Sequence, residues 1–163
     1  MKPIVEIAIE SEKWADFADA DLVAETAIAE AVRQSGTEVS DEAEISLLLC
    51  DDDFIRGLNE KWRGIDKPTN VLSFPTPAGQ GVPSFLGDIA IAYETMAREA
   101  DEEGKSLRDH FTHLIVHGYL HLVGHDHVAE AEAEAMEQRE RSILAKLGID
   151  DPYRGASTQA VDR

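Results

Sequence analysis

The chain has 163 residues, 43% hydrophobic and 29% charged, which suits one domain with a real core and excludes a disordered polymer. Acidic residues outnumber basic ones 33 to 15, a formal net charge of -18, which excludes a protein that coats nucleic acid indiscriminately by neutralising phosphates. No apolar run approaches the roughly 20 residues that span a bilayer, "MKPIVEIAIE" lacks the pattern of a secretory signal, and the single cysteine, Cys50, excludes an internal disulfide. The expectation is a cytoplasmic protein.

In chain order, Val5, Ile7 and Ile9 alternate with Glu6, Ala8 and Glu10, the period of a strand. Asp19 to Gln34 carries Leu22, Val23, Ala27 and Val32 at helical positions, with Gly36 where a helix stop belongs. "EISLLLC" (44–50) reads as a mostly buried strand, with Cys50 a small core residue. Asp51 to Asp53 cap a short helix that ends at Gly64, a reading taken over a second cation site. A strand at 71–74, a Pro- and Gly-rich loop at 75–84 and a strand at 87–92 follow.

Tyr93 to Glu103 fits an amphipathic helix stopped at Gly104. Ser106 caps the next helix, with Asp109 three residues on. Its apolar stripe is Leu107, Phe111, Leu114, Ile115, Gly118 and Leu122, and Gly124 is its natural end. The last helix spans Ala129 to Leu147. Glutamates crowd its first half, and Arg139, Arg141 and Lys146 occupy the second, as a helix dipole favours. The order β-α-β-α-β-β-α-α-α predicts one α+β domain over residues 1–155, a small mixed sheet with helices packed on it. A polar, flexible tail is expected at 156–163.

Four of the six histidines fall in "HGYLHLVGHDH" (117–127). His117 and His121, four apart on a helix, stack on one face and can converge on one cation. Gly124 permits a sharp turn that brings His127 back as a third ligand; His125 is the rival if the helix runs on. Three imidazoles with a fourth position for water is the layout of a catalytic zinc site. Asp126 reads equally as a turn residue or as the group that orients a ligand imidazole. His110 and His113, earlier on the helix, read as packing or surface residues. The spacing H-x-x-x-H-x-x-G-x-x-H matches the zinc helix of metzincin proteases, but Gly118 stands where the protease has its general-base glutamate. A peptidase would need a carboxylate from elsewhere.

"NEKWRGIDKPTNVLSFP" (59–75) sets Lys61, Arg63 and Lys67 together in an acidic chain. Trp62 can stack on a base or pack inward, and Arg63 offers a fork for phosphate oxygens. Read locally, this is a solvated helix end with Trp62 in the core. Asp88 in "LGDI" reads as a strand-start cap or a group orienting the site.

"HGYLHLVGHDH" closely resembles the signature of the YbeY family of bacterial rRNA maturation factors, which are metal-dependent endoribonucleases. "RGIDKPTNVLSFP" and "LGDIAIA" resemble its other two blocks, and the order of elements agrees from about Ile4 to Tyr153. Two departures are His125, where Tyr is usual, and Asn70, where Asp is common and which offers no carboxylate. The resemblance implies an α+β fold and one zinc ion per chain on His117, His121 and His127. It implies a functional Arg63 in a groove that receives single-stranded RNA. It also implies processing of the 3′ end of 16S rRNA and ribosome quality control, with the small ribosomal subunit and its proteins as partners, and neither DNA nor membrane. A zinc peptidase-like hydrolase and a non-enzymatic ribosome assembly factor with a structural metal are the alternatives.

Overall fold

Apolar runs at 47–50 and 89–92 demand cover on both faces of the strands they form. In the computed structural model, which describes residues 4–35, 39, 42–76, 85–124 and 130–153, those two strands lie at the centre of a four-stranded sheet of order β1-β2-β4-β3. Strand β1 (Ile4–Ile9) runs parallel to β2 (Glu44–Cys50), and β2 runs parallel to β4 (Phe85–Ala92). Strand β3 (Val71–Pro75) is antiparallel to β4, with Val71 opposite Ile91 and Phe74 opposite Asp88. Five helices surround it: α1 (Ala20–Gln34), α2 (Asp52–Arg63), α3 (Tyr93–Glu102), α4 (Leu107–Leu122) and α5 (Glu130–Lys146). This is the α+β class that the element order predicts.

The two faces of the sheet have separate cores. Ile45, Leu47, Leu49, Val71, Ile89 and Ile91 belong to the main core with α1, α4 and α5. Cys50, Leu72, Ala90 and Ala92 meet Ile55 of α2 on the other face. Burial pushes the Cys50 thiol up to about 12, so the lone cysteine is an inert packing group.

The caps foreseen from sequence are made. The Ser106 hydroxyl accepts from Asp109 N at 3.0 Å, and the Asp51 carboxylate accepts from Phe54 N at 2.9 Å. The second aspartate of the acidic trio also serves a helix start. Asp52 Oδ1 accepts from Thr95 N at 3.1 Å and Thr95 Oγ1 at 2.7 Å, while Glu94 Oε1 accepts from Asp52 N at 2.9 Å. The beginnings of α2 and α3 are therefore tied to each other.

Some expectations shift. Leu22 is 61% exposed, because the buried face of α1 is formed by Ala20, Val23, Ala24, Ala27, Ile28 and Ala31. A 3₁₀ turn at Glu12–Asp16 has no periodicity to announce it. It is held by Trp14, which is buried and donates from its indole to the Cys50 carbonyl at 2.9 Å. Strand β3 runs on to Pro75, one residue into the expected loop, and β4 begins two residues earlier than expected, at Phe85. Gly36, Ala129, the remainder of that loop (77–84) and the tail at 156–163 lie outside the described residues.

Helix α4 is buried from His110 to Leu120 on every side, the central rod of the molecule. It packs closely on the sheet at Gly118. A Cβ there would stand 3.1 Å from Ile89 Cγ2 and 3.2 Å from Ser73 Oγ, and the Ser73 hydroxyl donates to the Gly118 carbonyl at 3.2 Å. Gly57, in α2, is exposed and a Cβ there would touch nothing within 4 Å. Opposite signs follow. Gly118→Ala is expected to cost about 1–3 kcal/mol by overpacking, whereas Gly57→Ala is expected to add about 0.5–1 kcal/mol by removing helix-interior glycine entropy. Urea denaturation of both variants checks the pair, and equal effects would contradict the packing argument.

Candidate metal centre

His110, His113, His117 and His121 recur on α4 at spacings of three, four and four residues, so each ring lies one turn from the next. The pair picked out from sequence does converge: His117 Nε2 and His121 Nε2 are 3.1 Å apart. Two nitrogens each about 2.0–2.1 Å from one tetrahedral ion lie about 3.3 Å from each other, so the donor pair fits a shared metal. His117 is 2% exposed and His121 is half-buried at the helix end. Gly124 follows at φ 101°, a conformation that turns the chain out of the helix as expected. His125, Asp126 and His127 lie outside the described residues.

The other side of His117 meets a carboxylate that the sequence reading missed. Glu140 of α5 is fully buried. Its Oε2 is 3.2 Å from His117 Nδ1 and 2.8 Å from His113 Nε2, and the Tyr153 hydroxyl donates to its Oε1 at 2.8 Å. Burial alone would raise the Glu140 carboxyl, but hydrogen bonding and attraction to His113 and His117 outweigh it and hold the group well below the usual carboxylate range. The Tyr153 phenol is driven the opposite way by burial and by the Glu140 charge.

His113, His117 and Glu140 offer ligand atoms within 4.8 Å of one another, so this buried trio is itself able to hold a metal ion. Its 2.8 Å His113–Glu140 contact is the length of a direct hydrogen bond, shorter than the separation of about 3.3 Å for two atoms on one tetrahedral ion. A signal for Glu140 was present. Met136, Glu140, Ile143 and Leu144 follow helical spacing, and all four are buried, which puts this one glutamate on the apolar stripe of an acidic helix.

His110 packs as expected and has its own partner. Its Nε2 is 2.9 Å from Glu99 Oε1, which also accepts from Asn70 Nδ2 at 3.0 Å. Asn70 Oδ1 in turn accepts from Val71 N at 2.6 Å. An amide at position 70 donates and accepts at once, which a carboxylate cannot do. Gly118 has no space for the protease glutamate, because the position is pressed onto Ile89 and Ser73.

The basic cluster lies on the other side of β3. Helix α2 covers the sheet face opposite α4, so Arg63 at its end belongs to a different layer from the histidines. Trp62 is 62% exposed instead of filling the core, with Lys61 Nζ 5.1 Å above its ring and the Phe74 ring centroid 6.2 Å away. Arg63 and Lys67 are exposed beside it. Ile89 faces Gly118, so Asp88, its neighbour along the strand, points to the α2 face and does not orient the histidines.

A family model described as Endoribonuclease YbeY matches residues 6–148. An Endoribonuclease YbeY of Methylocella silvestris is 60% identical over 153 residues, covering 94% of this chain and 87% of the relative. One from a Bradyrhizobium species is 55% identical over 157 residues, covering 93% and 92%. The solution structure of TM1509 from Thermotoga maritima aligns at a TM-score of 0.54 and 20% identity, over 93% of this chain and all of that one, and shows the same fold.

The Glu99 site generates a prediction. Asn70→Asp sets a second carboxylate against Glu99 and removes the amide donor, with an expected loss of about 1–3 kcal/mol at neutral pH. Urea denaturation measures it, and unchanged stability would show that the amide is not needed there.

Proposed function

This chain belongs to the YbeY family of endoribonucleases, and from that premise we propose that it is a zinc-dependent endoribonuclease acting on single-stranded RNA. Its proposed task is maturation of the 3′ end of 16S rRNA and ribosome quality control, in the cytoplasm, with the small ribosomal subunit and its proteins as partners. No helix among the described residues is long and apolar enough to cross a membrane. The domain proposed to carry this activity is 1–155.

The observation that carries the reading is the 3.1 Å approach of the His117 and His121 Nε2 atoms at one end of a buried helix. These two residues, with His127 beyond the Gly124 turn, are proposed to hold one zinc ion per chain. A bound zinc supplies Lewis acidity at a phosphoryl oxygen or a water of lowered pKa.

The remaining work falls to the chain itself. His117 and His121 present ring nitrogens, and burial of His117 keeps water from its rear. Arg63 is proposed to bind phosphate oxygens through its planar fork and to offset their charge as the phosphodiester reacts. Trp62, exposed with Lys61 over its ring, offers a face for an unpaired base. With a net charge of -18, attraction for bulk RNA is weak, and recognition rests on this local face and on ribosomal partners. The attacking oxygen is a water or the RNA 2′-hydroxyl; a 2′,3′-cyclic phosphate on the product identifies the second route.

Elemental analysis paired with cleavage of a single-stranded rRNA precursor tests the assignment. His121→Ala should lose zinc and cleavage while the circular dichroism spectrum of the fold persists. Arg63→Ala should keep its zinc and lose about 10²–10³-fold in cleavage. Full activity in zinc-free protein overturns the metal reading, and zinc loss in Arg63→Ala overturns the role given to the arginine.

A further inference from the structure

Glu140 takes no part in the chemistry above, yet it is fully buried and accepts from three side chains on two other segments. A carboxylate only accepts hydrogen bonds, so the ring nitrogens that face it must be the ones carrying protons. For His117 this places the proton on Nδ1 and leaves the lone pair on Nε2, the nitrogen that faces His121 at 3.1 Å. We propose that Glu140 is a positioning residue that fixes the tautomer and ring orientation of His117, with His113 and Tyr153 holding the carboxylate in place.

The geometry supports each part. Glu140 Oε2 is shared between His113 Nε2 at 2.8 Å and His117 Nδ1 at 3.2 Å. Oε1 is occupied by the Tyr153 hydroxyl at 2.8 Å. Both oxygens are engaged, so the carboxylate cannot swing away from His117 without breaking a buried bond. Helix α5 and the segment that carries Tyr153 thereby act on a ring of α4 that neither segment carries. A hydrogen bond from the non-ligating nitrogen raises ligand basicity and restricts ring rotation, and its loss costs 10–100-fold in metal affinity in comparable sites.

The inference rests on His117 being a metal ligand, and the experiment separates the two. Histidine ring ¹⁵N chemical shifts of the metal-free protein report the tautomer directly. Wild type should show His117 protonated at Nδ1, and Glu140→Gln should show a mixture. Zinc affinity measured by competition with a chromophoric chelator should fall about 10–100-fold in Glu140→Gln and only a few-fold in Tyr153→Phe, which loosens the carboxylate but keeps it as the acceptor for His117.

His117 protonated at Nε2 in wild type overturns the proposal, as does unchanged zinc affinity in Glu140→Gln. Glu140→Gln failing to fold leaves the wild-type tautomer and Tyr153→Phe to decide. Wild type that shows the expected tautomer but binds no zinc supports the orienting role and overturns the metal reading instead. Zinc retained in His121→Ala but abolished in His113→Gln would assign the ion to the His113–His117–Glu140 trio and make Glu140 a ligand, which also overturns it.

Discussion

The constraint on which the rest depends is that α4 is buried all the way round while carrying histidines. A polar ring inside a core must find a partner or destabilise the fold. The molecule meets that demand from its surroundings: α3 brings Glu99 to His110, and α5 brings Glu140 to His113 and His117. Among the histidines of α4 only His121, at the end of the rod, is half-buried. The same packing that stabilises the helix therefore decides which rings face inward and which is left partly exposed.

The sheet then divides the labour. Its main-core face supports α4 and the histidines, and the opposite face supports α2 with its basic, aromatic end. Strand β3 belongs to both sides: Ser73 bonds to Gly118 of α4, and Phe74 lies near Trp62. In an acidic chain, the exposed Lys61, Arg63 and Lys67 give the end of α2 a local attraction for phosphate, which favours selective over general contact.

Much of this was legible in the sequence because local rules and burial agreed. The i, i+4 histidines met, the caps at Ser106 and Asp51 formed, and Gly124 turned the chain. What escaped was set by tertiary contacts. Trp14 anchors a turn with no period of its own, through a bond to a carbonyl 36 residues away. Trp62 followed a hydrophobic expectation that the amphipathic α2 did not honour, since its partner face was already filled by Ile55 and Leu72. Glu140 was hidden by company: in a helix crowded with glutamates, only its place beside Met136, Ile143 and Leu144 distinguishes it.

The tied beginnings of α2 and α3 carry a consequence for how the chain folds. Asp52 N donates to Glu94 across a separation of 42 residues, and the Asp52 carboxylate in turn accepts from Thr95. A helix normally nucleates from its neighbours in sequence. Here the first turn of each helix is completed by a residue of the other, so neither start reaches full protection until strands β3 and β4 have brought the two together. The two ends thus form one cooperative unit that opens as a whole, and solvent reaches those amides through a concerted separation of both helices instead of independent fraying.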